Sequence, residues 1–222
     1  MYKVYHHPLC PFSRKLRIVL LEKGIAAQLH TERPWERRPE YLALNPFGTT
    51  PALQYKQGKV LASNYALFEF LEEAYPQLNL LGQSNEMRGI TRSVTDWFDN
   101  KFYNEVSRYL IAEKIIKVLT HGGAPNSEAI RAAKNNILYH IDYLDYLLQA
   151  HRYLVDDRVT LADFAAAAQL SVLDYIGDIP WQRKKRVKEW YALIKSRPSF
   201  RPLLMDSVPP LTPPPHYANP DF

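Results

Sequence analysis

Apolar residues recur with two different periods along this chain, and the change between them divides it. Up to Pro76, short alternating runs are interleaved with helical stripes. Tyr2 to Tyr5 alternates as a strand, Phe12, Leu16, Val19 and Leu20 recur at spacings of three and four as a helix face, and Ala27 to Thr31 alternates weakly as a second strand. Pro39 to Leu44 makes a short helix. Leu53 to Tyr55 and Lys59 to Ala62 flank Gln57-Gly58 as a hairpin, and Ser63 is a natural N-cap for a helix carrying Leu67, Phe68 and Leu71. From Asn85 onward only the helical period remains, over residues 85 to about 119, 127–150, 161–175 and 183–196. The pattern predicts a mixed α/β domain over 1–76, a linker at 77–84, an all-α domain over 85–206 and a proline-rich tail over 207–222.

The 222 residues are ample for a buried core, and 46% hydrophobic with 23% charged residues is a globular composition. One cysteine excludes a disulfide scaffold. The N-terminus shows no basic-then-apolar leader, and no apolar run reaches the roughly 18 residues of a membrane span, so the expected location is cytoplasmic. A net charge of +5 favours acidic partners, but no zinc pattern or groove-reading module points to nucleic acid. The histidines are scattered without ligand spacing, so no metal is expected.

Cys10 falls where the first strand runs into the first helix. Pro11 suits the first helical position because its missing N–H has no partner there in any case. The first-turn amides and the positive end of the helix dipole then face the thiol, a setting that favours a nucleophile. Ser13, one turn in, is placed to hydrogen-bond an anion held at the same mouth. The other reading of Cys10 is an ordinary buried small residue. Further on, Asn45-Pro46-Phe47-Gly48-Thr49-Thr50-Pro51 breaks every regular pattern and demands a tight, irregular path.

The element order, the Cys10-Pro11-Phe12-Ser13 helix start and the Asn45-Pro46-x-Gly48-x-x-Pro51 loop together resemble the glutathione transferase superfamily. So does Val159-Thr160-Leu161-Ala162-Asp163-Phe164, which is similar to that family's buried capping box and hydrophobic staple. The resemblance implies a thioredoxin-like N-terminal domain followed by an all-α domain, a homodimer, a cis bond before Pro51, and glutathione held by Thr50, Pro51 and Ser63. Pro51 can also be read as a plain turn at a strand start. The resemblance breaks at Ala62. The family usually carries Glu or Gln there, and alanine cannot accept a hydrogen bond from the γ-glutamyl ammonium. One charge-assisted hydrogen bond is worth about 1.5–3 kcal/mol, or roughly ten- to a hundredfold in affinity.

The tail carries six prolines from Pro209 to Phe222 and should run extended over the surface or into solvent. His216, Tyr217, Asp221 and Phe222 would then be anchors for a partner; alternatively the segment straps the body of its own chain. This ending, with His6-His7-Pro8-Leu9 and the alanine, resembles the FtsZ-binding division proteins of the superfamily in alphaproteobacteria. That resemblance implies a dimeric module that binds FtsZ filaments. The alternative is an enzyme, with Cys10 forming a mixed disulfide with glutathione or Ser13 stabilising its thiolate. The basic run Arg183 to Arg186 reads as a solvated helix face or a docking patch.

Overall fold

The computed structural model describes residues 1–219, apart from the side chain of Gln57. Asp221 and Phe222 lie outside the described residues.

Four short strands form one sheet in the order β2-β1-β3-β4. β1 (Tyr2–His6) pairs parallel with β2 (Ala27–Thr31) and antiparallel with β3 (Ala52–Tyr55), which pairs antiparallel with β4 (Lys59–Leu61). Val4 sits opposite both Leu29 and Leu53, and it and Leu53 are fully buried, which fixes the register of the central strands. The parallel β1–β2 connection is α1 (Pro11–Glu22). Gly24 ends it at φ +66°, with the Ile25 amide donating to the Leu20 carbonyl at 2.8 Å and the Gly24 amide to Leu21 at 3.1 Å. This is a Schellman stop, and it needs the left-handed conformation that glycine takes without a Cβ penalty. After the short α2 (Pro39–Leu44), α3 (Asn64–Ala74) completes the first half.

The second half is helical. Its first helix runs over residues 85–120, α-helical from Asn85–Asp96 and π-helical over Trp97–Ser107 and Ala112–Ile116. The helices Ser127–Leu147, Leu161–Tyr175 and Lys185–Lys195 follow. Every residue of Leu161–Tyr175 is buried. Its small stretch Ala165 to Ala168 allows close approach, and α1 packs directly on this helix, so the two halves share one core. Phe98 and Phe102 belong to that core, whereas Trp97 is half-buried and Tyr109 lies at the surface. A second, smaller cluster joins Leu9, Ile115, Val172, Tyr175 and Tyr217. Among the described residues no helix is long and apolar enough to cross a membrane.

The tail departs from the extended path its prolines suggest. Val208 bridges Leu211, and Pro215–Ala218 forms a 3-10 turn that drives Tyr217 inward to zero exposure. The segment is a strap on its own chain. Tyr217 therefore has no surface to offer a partner, and the anchor role expected of it is corrected. His216 stays partly exposed, but its Nε2 lies 2.9 Å from Asp174 Oδ1, so it too holds the strap. The basic run Arg183 to Arg186 meets carboxylates of the helix Ser127–Leu147: Arg183 with Asp142 at 2.6 Å, and Lys184 and Arg186 with Asp145 at 3.2 Å.

Candidate functional site

Cys10 is the N-cap of α1, with extended backbone (φ −94°, ψ 120°) and Pro11 at the first helical position. The turn before it closes through the Cys10 amide on the His7 carbonyl at 3.0 Å, and the Leu9 amide donates to His7 Nδ1 at 3.3 Å. No side chain caps the helix. The Cys10 thiol donates instead to the Thr50 carbonyl at 3.2 Å. Ser13 corrects the sequence expectation. It is fully buried, and its Oγ accepts the His7 amide at 3.4 Å, so it braces the turn from beneath and does not line the mouth.

Thr50 reaches Cys10 because Asn45 folds the irregular loop around itself. Asn45 Oδ1 accepts the Phe47 amide at 3.1 Å and Nδ2 donates to the Thr49 carbonyl at 2.8 Å. The Thr50–Pro51 bond is cis. Cys10 and Thr50 share a cavity of about 370 Å³, walled largely by apolar groups including Phe12, Trp35, Tyr103 and Ile115. The rings of Phe12 and Tyr103 are 4.7 Å apart, and His7 meets Trp35 edge-on at 5.0 Å. Burial raises the Tyr103 hydroxyl above its ordinary pKa. Burial, then the nearby Arg14, pushes His7 down to about 4; burial, then Arg17, does the same to His6. Both are neutral at physiological pH. The thiol thus sits in an uncharged, mostly apolar recess. Trp35, Tyr103 and Ile115 gave no sign in the sequence, since Trp35 comes from the loop after β2 and Tyr103 and Ile115 from the long helix of the second half, all far from Cys10 along the chain.

Ser63 borders a different cavity. It caps α3, with its Oγ accepting the Ala66 amide at 3.5 Å, and lines a recess of about 500 Å³ with Lys15, Asn64, Thr95, Asp96 and Asp99. Among the carboxylates lining this recess, Asp99 is already occupied. It pairs with the buried Lys15 ammonium and accepts Asn64 Nδ2 at 2.9 Å. Burial lowers the pKa of Lys15, with Asp99 acting against that shift. Asn64 Oδ1 has no partner but is sealed from solvent. Of the other carboxylates lining this recess, Glu69 is paired with Arg92, and the exposed Asp96 accepts Asn100 Nδ2. Thr50 and Ser63, two of the residues expected to hold glutathione, thus line separate recesses. Among the described residues no group of three or more His, Cys, Asp or Glu side chains is placed to hold a metal.

At the opposite end of the shared core, Asp163 closes the start of the helix Leu161–Tyr175. Its carboxylate accepts the Thr160 amide at 2.9 Å and hydroxyl at 3.0 Å, the Leu154 amide at 2.9 Å and Trp190 Nε1 at 2.9 Å.

A thioredoxin-like sheet with a thiol at its first helix, joined to a helical domain through a buried capped helix, defines a class. The glutathione S-transferase N-terminal domain matches residues 9–74 and the C-terminal domain of the same family matches residues 111–203. The chain belongs to the glutathione S-transferase family. It is 41% identical to FtsZ-localized protein A of Caulobacter vibrioides over 99% of its own length and 97% of that protein's. The solved structure of FzlA from C. crescentus superposes with a TM-score of 0.96 at 42% identity, covering 100% of this chain and 99% of that one. A glutathione S-transferase from Rhodospirillum rubrum does so with a TM-score of 0.96 at 44% identity, covering 100% of both chains.

Proposed function

We propose that the protein is a homodimeric, cytoplasmic binding module for FtsZ filaments in cell division, and that it does not turn over glutathione. One observation carries the reading against catalysis. The position that should grip the γ-glutamyl ammonium is Ala62, and Asp99, in the recess that Ser63 lines, is spent on Lys15 and Asn64. The full-length similarity to FtsZ-localized protein A supports the partner. Ala218 and Asn219 are exposed, so the strap leads outward past Tyr217. Asp221, Phe222 and the neighbouring helical-domain surface are the proposed contact. The other reading, glutathione-dependent thiol transfer by Cys10, has the apolar recess at the thiol in its favour.

Two measurements decide. Calorimetric titration of glutathione should give a dissociation constant in the millimolar range or no heat, and micromolar binding would restore the enzyme. The protein should pellet with GTP-assembled FtsZ polymer and stay in the supernatant when assembly is blocked. Absence from the pellet removes FtsZ as the partner.

A further inference from the structure

The second apolar cluster ties the end of the chain to the thiol turn. Arg14 is fully buried, and its guanidinium is engaged in several directions. Nε donates to the Pro8 carbonyl at 2.6 Å, and Nη1 donates to both Ser171 Oγ and the Tyr217 hydroxyl at 2.9 Å. The Tyr217 hydroxyl donates in turn to the Leu203 carbonyl at 3.0 Å. Nη2 has no hydrogen-bond partner and faces Asp206 Oδ2 at 3.6 Å, so the placement of the guanidinium rests on the bonds of Nε and Nη1, and removing one acceptor shifts the others. Pro8 is two residues before Cys10, in the turn that the Cys10 amide closes on His7. Leu9, between them, is buried against the same cluster as the Tyr217 ring.

We propose that Tyr217 is a positioning residue for Cys10. Its hydroxyl sets the Pro8–Cys10 turn through Arg14, and its ring supports that turn through the cluster it shares with Leu9. A ligand held by the chain end beyond Tyr217 therefore changes the reactivity of the thiol. By reciprocity, a group seated on Cys10 changes the hold on the chain end. The inference goes beyond filament binding and stands whatever the partner is.

The lone cysteine makes the test direct, because alkylation by iodoacetamide reads Cys10 alone. Tyr217→Phe in the full chain keeps the ring and removes the hydroxyl. The alkylation rate should change about three- to tenfold, the size of one hydrogen bond's net contribution, with the pH–rate profile displaced. His216→Gln loosens the strap at Asp174 and leaves the bonds of Arg14 in place, so it should react as the unaltered protein does. A Tyr217→Phe protein with a lowered melting temperature but unchanged rate and profile overturns the proposal. So does an equal change in both variants, which would make strap seating in general the cause. The unaltered protein gives an independent reading: alkylating Cys10 should change amide hydrogen exchange across residues 216–218, and identical exchange with and without alkylation overturns the coupling.

Discussion

α1 and the helix Leu161–Tyr175 pack against each other, yet their first turns are built in opposite ways. The latter starts on Thr160, with a buried carboxylate from Asp163 taking four donors from three parts of the chain. α1 starts on Cys10, with no side-chain cap, no acid in its first turn, and a thiol turned to the Thr50 carbonyl. One start is closed to everything but its own chain. The other leaves its orphan amides and dipole end beside the recess lined by Cys10, Pro11 and Phe12. The difference separates a helix start sealed into the framework from one that borders a cavity. The start of α3 lies between these cases, capped by Ser63 but without the acceptor that Ala62 replaces.

The strongest way to break this contrast is at the closed start. Asp163→Ala strands two backbone amides, a hydroxyl and an indole N–H; at about 1 kcal/mol each, the low end for a buried unsatisfied group, the loss is about 4 kcal/mol. Urea denaturation should show it, and a loss below about 1 kcal/mol would mean that the network is not the framework described. Burial raises the Asp163 pKa in spite of those four donors, a sign of how completely the site is sealed.

The open start should be the acid-sensitive one. His6 and His7 titrate near 6.5 when unfolded and are pushed down to about 4 in the fold. Between those values the unfolded chain binds protons that the folded chain refuses. Stability is therefore full above pH 6.5 and lost as pH falls toward 4, by about 2 kcal/mol per histidine from pH 7 to pH 5. Urea midpoints across that range should fall, and His7→Gln should remove about half of the dependence; flat midpoints would show that neither imidazole is held neutral.

The smallest effect sharpens the middle case. Ala62→Glu returns a charged acceptor to the α3 start and should strengthen glutathione binding about ten- to a hundredfold by calorimetry, the return of one charge-assisted hydrogen bond. No gain would place the defect elsewhere in the recess.

Features set by close neighbours along the chain are legible in the residues themselves. The strand-to-helix turn at Cys10, the stop at Gly24 and the Thr160–Asp163 capping pair are each decided within about one helical turn. Ser13 is misread from sequence because spacing gives a helical position but not whether the nearby backbone claims the hydroxyl, as the His7 amide does. Tyr217 is misread for a longer-range reason. Proline composition fixes the local backbone, while the direction of the ring depends on Arg14, 203 residues away. The π-helical stretches are illegible because Trp97, Phe98, Phe102 and Val106 fit a helical stripe whether or not an extra residue enters each turn.

The plugged tyrosine also has a mechanical consequence. Tension applied to the chain past residue 219 meets the 3-10 turn Pro215–Ala218 first, and that turn is held down by the sunken Tyr217 ring and by His216 on Asp174. A tether of this design yields by extraction of two neighbouring side chains, before any helix behind it begins to unravel.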